Sequence, residues 1–203
     1  MKKLFALATF VFALSLSAAC AAEKNPLLAA GQVVWAGVDY SQVRLIGLAE
    51  EFHDPAVIRF EEWNKLFLDE RIPIVEKLTG KQVVADADYL TTNCQVPAGA
   101  QLITTPGADD TISRTHLTPD KLAALVKGYD LKTKSGLGLV FIVDRLVKVN
   151  TKGEGAVYVV AFDLATRDVV FSERVVGRGD GHGFRNYWFR IVKDGEQALS
   201  KLR

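Results

Sequence analysis

The sequence predicts one α/β (α+β) domain: a single mixed sheet with packed helices that ends in a three-stranded antiparallel meander. Three observations predict it. Strand-like runs rich in valine and aromatic residues alternate with stretches of helical spacing. The longest apolar run, Leu137 to Val149, is apolar on both faces in its first half, which suits a central strand covered on two sides. The turns after it, 151–155 and 164–167, are short and polar, and connections so short force antiparallel neighbours.

The first 22 residues read as an address. Lys2 and Lys3 precede an apolar run from Leu4 to Leu16, and small residues follow from Ser17 to Ala22. That is the three-part pattern of a secretory signal peptide, with an apolar run too short for a membrane span of about 20 residues. Residues 23–203 are then expected to form one exported globular domain, periplasmic or outer-membrane-associated, with no membrane span. Cys20 has two readings. It is a lipidation site, which would give the chain a lipid anchor, or it is removed by cleavage after Ala21 or Ala22. In the second case Cys94 is the remaining thiol, and no internal disulfide can form.

Along the domain, Gln32 to Tyr40 reads as a strand, and Val43 to Gly47 continues it after a bend. Asp54-Pro55 reads as a helix start, with Val57, Phe60, Trp63, Leu66 and Phe67 at helical spacing. A second helix is expected from Ile72 or Pro73 to Thr79, and a strand from Val83 to Leu90. Between 91 and 117, proline and glycine leave room only for short strands, near 100–104 and 111–116. Thr118-Pro119-Asp120 caps a helix that Gly128 ends. Strands follow over Leu137–Val149, Ala156–Asp163 and Asp168–Val176. In the last helix Phe184, Trp188, Ile191, Gly195, Leu199 and Leu202 form one stripe, with Arg185, Lys193, Glu196 and Lys201 off it.

Charge excludes one class of partner. There are 25 Lys+Arg against 24 Asp+Glu, which lacks the basic footprint of a nucleic-acid binder. No cofactor motif occurs. Histidines 53, 116 and 182 are not paired at metal-site spacing, so no metal is expected. There is no Gly-x-Ser-x-Gly elbow, and no catalytic residue is assigned. Asp86 and Asp88 are expected on one face of a strand. Trp35, Tyr40, Trp63, Tyr187 and Trp188 read as core, with a ligand groove as the other option.

The glycine run at 177–183 is the most unusual stretch. It joins a strand to a helix, where free amides can cradle an anion. Gly177, Arg178, Gly179, Gly181, His182, Gly183 and Arg185 are therefore the candidate ligand-binding residues. The spacing misses both the dinucleotide fingerprint and the P-loop, because His182 and Phe184 stand where a third glycine is needed and no Gly-Lys-Ser/Thr occurs. A tight connection needing positive φ is the simpler reading.

WAGVDYSQVRLIG at 35–47, GLGLVFIV at 136–143 and GHGFRNYW at 181–188 together resemble an uncharacterised family of exported bacterial proteins, one that supplies no catalytic residues. More loosely, Asp163, Thr166 and Val169, followed by a Gly-rich loop and a helix, are similar to envelope modules. These include the curli secretion-channel lipoprotein, the penicillin-binding-protein activator lipoproteins and the TolB N-terminal domain. The resemblance implies a non-enzymatic binding or assembly module of the envelope that meets a protein partner or itself. The alternative is a small-ligand or anion binder, or enzyme, using loop 177–183. A pore subunit is a third option, disfavoured by Asp144, Arg145, Lys148, Glu173 and Arg174 in the meander.

Overall fold

The computed structural model describes residues 26–47, 52, 61–95, 102–149 and 152–203, without the side chains of Pro26, Leu27, Glu61 and Phe184. The signal peptide, Cys20 and the Asp54-Pro55 helix start lie outside them. After a 3-10 turn (Pro26–Ala29) come β1 (Gln32–Asp39), β2 (Arg44–Gly47), α1 (Glu61–Thr79), β3 (Gln82–Ala85) and α2 (Asp88–Asn93). Then follow β4 (Leu102–Ile103), α3 (Pro119–Gly128), β5 (Leu137–Lys148), β6 (Glu154–Asp163), β7 (Val169–Arg178), α4 (Phe184–Gly195) and a 3-10 stretch (Glu196–Leu202).

The sheet is mixed and β5 is its axis. On one edge β5 carries β1 along its first half and β2 along its second, both parallel to it. β3 and β4 lie outside β1 and β2, again parallel. On the other edge β6 and then β7 pair antiparallel. Ten consecutive residues of β5, Leu137 to Leu146, are buried, as a strand covered on both faces requires. The β6–β7 turn is built by Asp163, whose Oδ1 accepts the N–H groups of Ala165 (2.6 Å) and Thr166 (3.3 Å).

Helices cover both faces. One core joins the sheet to α1, α4 and the C-terminal 3-10 stretch through Trp63, Phe67, Trp188, Ile191 and Leu199. The other joins it to α2 and α3 through Leu90, Leu122 and Val126. Bulges set which residues face which core. The β1–β5 register shifts between Trp35 and Gly37, where Gly37 has φ 118°. The first core therefore takes Val33 and Trp35 before the bulge, but Val38 and Tyr40 after it. Asn64 of α1 secures the bulge: its Oδ1 accepts the Val38 N–H (2.6 Å), and its Nδ2 donates to the Val38 carbonyl (3.1 Å).

Several expectations are corrected. A single helix runs through Pro73, where a break is expected. Proline removes the bond to the carbonyl of Asp69, and both residues are exposed, so water can satisfy that carbonyl. The strand expected over Val83–Leu90 stops at Ala85. Asp86 is buried there and its Oδ2 accepts the Thr133 N–H (2.7 Å), while Asp88 opens α2 and pairs with Lys132. The two carboxylates share no strand face. Residues 111–116 are irregular, and β4 has only two residues. Glu196, expected off the buried stripe, is 4% exposed and takes both ends of the Arg71 guanidinium. The chain tightens to 3-10 geometry after Gly195, which rotates the following side chains relative to the α-helical stripe. The Thr118 cap matches its expectation: Thr118 Oγ1 accepts the Lys121 N–H at 3.3 Å, and Pro119 stands in the first turn.

Candidate functional site

A cleft of about 580 Å³ opens where β7 runs into α4. Gly177, Arg178, Gly179 and Asp180 form one wall; Tyr187, Arg190, Asp194 and Gln197 form the other; Lys152 and Gly153 close one end. The second wall has a simple helical origin. Positions 187, 190, 194 and 197 recur at three- and four-residue spacing, the polar counterpart of the apolar stripe that presses α4 onto the sheet.

Tyr187 holds the two walls together. Its hydroxyl accepts the Gly153 N–H (2.6 Å), and the Gly153 carbonyl accepts the Gly179 N–H (2.9 Å). Lys148 Nζ lies 5.0 Å from the ring centre. A side chain at Gly179 would overlap the Tyr187 ring, and one at Gly177 would run into the Asp194 carboxylate. Arg190 Nε donates to Asp194 Oδ1 at 3.0 Å.

The seven candidate residues therefore divide. Gly177, Arg178 and Gly179 line the cleft, and the two glycines serve close approach to α4. Gly181 (φ 106°) and Gly183 (φ 78°) serve the turn and lie outside the lining, as do the exposed His182 and Arg185. Arg185 Nε reaches Asn186 Oδ1 at 3.4 Å. Two loop amides are already engaged: Gly179 N–H with Gly153, and Asp180 N–H with the Tyr187 carbonyl (3.1 Å). Sequence reasoning missed Lys152, Arg190, Asp194 and Gln197. The 187–190–194–197 spacing was the available signal for the helix residues, overshadowed by the apolar stripe beside it.

Replacing Gly179 or Gly183 with alanine separates the two glycine roles. Gly179→Ala should cost about 1–3 kcal/mol through overpacking. Gly183→Ala meets no atom within 4 Å, yet its backbone (φ 78°, ψ 151°) is essentially glycine-only, and strain should cost about 1–3 kcal/mol. Urea titrations with Tyr187→Leu added to each should show relief of the Gly179 defect and none of the Gly183 defect.

Two buried polar clusters lie elsewhere. Asp39, at the end of β1, accepts the Tyr129 hydroxyl (2.6 Å) and the Ser41 N–H (2.7 Å). Burial raises its pKa despite those bonds. Cys94 is buried nearby, and burial together with Asp39 pushes its thiol up to about 12, so it is a poor nucleophile. The second cluster centres on Asp144, at a bulge in β5. Arg174 Nε (2.9 Å) and Nη2 (2.8 Å) and His116 Nδ1 (3.0 Å) surround the carboxylate, and Arg145 Nε lies 3.6 Å away. Arg145 also donates to the carbonyls of Asp109 and Thr111, and Arg174 to those of Ile112 and Arg114. His116 Nε2 lies 2.9 Å from the Gln42 carbonyl. The irregular 109–116 segment thus hangs on charged hydrogen bonds instead of a strand ladder.

Among the described residues no helix is long and apolar enough to cross a membrane, and no three His, Cys, Asp or Glu side chains gather as a metal site. No known protein family matches the chain, and no curated protein matches it. Among solved structures, a hypothetical protein from Chlamydia trachomatis aligns with 85% of this chain and 92% of its own, at 11% identity and a TM-score of 0.35. A likeness that distant carries no argument about role.

Proposed function

We propose that the chain is an exported, non-enzymatic binding or assembly module of the cell envelope, periplasmic or outer-membrane-associated, that takes up an extended segment of a protein partner along β7. The observation that carries the reading is the open edge of that strand. β7 is ten residues long and, among the described residues, pairs only with β6. Gly179 N–H points back to Gly153, and antiparallel bonding alternates residue by residue, so the backbone groups of Arg174, Val176 and Arg178 point outward. Among the described residues those groups have no backbone partner on that side. Val176 is 45% exposed on this edge. Long edges are usually blunted by charge, proline or a covering segment; an open one is the surface that strand addition uses. The leader-like residues 1–22 and the resemblance to envelope modules support the compartment.

Val176→Pro tests the reading. A proline whose nitrogen faces the open edge removes an outward donor while leaving the β6 pairing intact. Photocrosslinkers at Arg178 and at the exposed Ser200 are compared in the living envelope, each with and without Val176→Pro. Adducts to one protein band from position 178 alone, abolished by Val176→Pro at unchanged Tm, are expected. A strictly monomeric protein with no adduct from position 178 removes the reading. The alternative, a small anion held by the loop's own amides, would have to use those of Arg178 or of Gly181–Gly183, since the Gly179 and Asp180 amides are engaged.

A further inference from the structure

His116 sits between two oxygens that can only accept, and we infer that it is a pH-operated latch: protonated, it fastens the end of the 109–116 segment to the sheet; uncharged, it lets that end go. The ring reaches in two directions. Nε2 lies 2.9 Å from the Gln42 carbonyl, in the bend between β1 and β2. Nδ1 lies 3.0 Å from Asp144 Oδ1, off the line of a good hydrogen bond but in ion-pair contact. A carbonyl has no proton to give. Nor has Asp144: burial works against its charge, but its neighbours outweigh burial and keep the carboxyl below its ordinary range. A neutral imidazole carries a proton on one nitrogen only, so either tautomer turns a lone pair toward one of these oxygens. The doubly protonated ring suits both.

The charges around the ring divide in sign. Asp144 of β5 favours a charge on it, and Arg145 of β5 and Arg174 of β7 oppose one. Lys121 of α3 opposes it too, with Nζ 3.0 Å from the His116 carbonyl. Tyr158 of β6 brings a hydroxyl, 3.2 Å from both Thr115 Oγ1 and the Leu117 carbonyl. Asp109 and Asp110 have cations of their own, Arg114 at 3.9 Å and Arg44 of β2 at 3.8 Å. Histidine is the side chain whose charge ordinarily changes between pH 5 and 8. Arginines stay charged throughout, so Arg145 and Arg174 hold residues 109–114 in either state, and His116 adds the last tie. The segment also matters beyond itself. Asp110, Thr111 and Ile112 line a second cleft, of about 360 Å³, together with Val147 and Val149. A looser segment means a looser wall there.

The test compares amide exchange of the purified protein at pH 5.5 and pH 8, each rate divided by its intrinsic chemical rate. Two amides report on the latch: Arg114 N–H, which donates to the Thr111 carbonyl (3.1 Å), and Leu117 N–H, which donates to Thr115 Oγ1 (3.0 Å). Both should be on the order of tenfold better protected at pH 5.5, while amides of β5 and β6 change by less than about twofold. His116→Gln keeps a donor but cannot take a charge, and should show the weaker protection at both pH values. His182→Gln, at the exposed histidine of the glycine loop, should behave as wild type. Ring nitrogen-15 spectra of the wild type should show both His116 nitrogens protonated at pH 5.5. A bare ring nitrogen at pH 5.5 overturns the latch, as does equal protection at the two pH values. A pH response that survives in His116→Gln overturns it as well, since the sensor would then lie elsewhere. If that variant does not fold, the wild-type exchange and the ring spectra still decide.

Discussion

Asp144→Ala is expected to cost about 3–5 kcal/mol, because it strands buried positive charge. Asp144 is fully buried, Arg145 is 1% exposed, and the Arg174 side chain is 16% exposed. Removing the carboxylate leaves two guanidinium groups inside the protein whose hydrogen bonds, among the described residues, run to backbone carbonyls. For a domain of this size that corresponds to a fall in Tm of roughly 10 °C. The damage should start locally. Amides of residues 109–116 should exchange faster than those of β5 and β6, since that segment is held by Arg145 and Arg174. Acid should mimic the substitution. Burial alone would raise the Asp144 pKa, but His116, Arg174 and Arg145 outweigh it and leave the carboxyl below its ordinary range. Its contribution is therefore complete above the unfolded value of about 3.9 and is lost as pH falls through the lower folded value. Urea titrations at pH 7 and pH 3 should show the gap between wild type and variant narrowing at pH 3. A gap that stays constant would mean that Asp144 is not the charge that holds the segment.

Asp144 also marks a limit of reading this sequence. Charges within an apolar run argue against a membrane hairpin, and the sequence supports that argument. It does not tell which charges find each other. Asp144 and Arg145 are adjacent, Arg174 is two strands away, and His116 comes from a stretch without periodicity. The central strand was legible because ten residues in a row, Leu137 to Leu146, meet one simple condition, burial on both faces. The α3 cap was legible because Thr118, Pro119 and Gly128 each act within one turn. The bulge at Gly37 was not legible: a period-2 reading of Val33 to Tyr40 carries the wrong residues onto each face after it. Pro73 misled for a related reason: whether a helix continues through a proline depends on its surroundings, and here both Pro73 and the residue whose carbonyl it frees, Asp69, are exposed. The glycine run was conspicuous, yet its letters did not show that Gly177 and Gly179 make room for α4 while Gly181 and Gly183 turn the chain. That division depends on Tyr187 and Asp194, which lie on the facing wall.

The second large effect concerns Trp188, on which both the fold and the cleft depend. Trp188→Ala is expected to cost about 3–5 kcal/mol, the range for emptying a buried aromatic site. The indole is 1% exposed, stacks on Phe52 with centroids 5.3 Å apart and 16° between planes, and meets Tyr187 edge-on at 5.1 Å. Its indole tip would also lie 2.9 Å from a Cβ on Gly153, so α4 packs flush against the β5–β6 turn. Emptying this site should loosen α4 first. Tyr187 would lose its packing neighbour, and the Gly153 and Gly179 amides that its hydroxyl organises should exchange faster. Binding of the partner segment should weaken even at urea concentrations where the sheet remains intact. Trp188→Phe, which keeps an aromatic ring at the site, should cost much less and preserve binding. If Trp188→Ala lowered stability by under about 1 kcal/mol, the helix could not be pressed onto β6 and β7 as described, and the second wall of the cleft would have no fixed position.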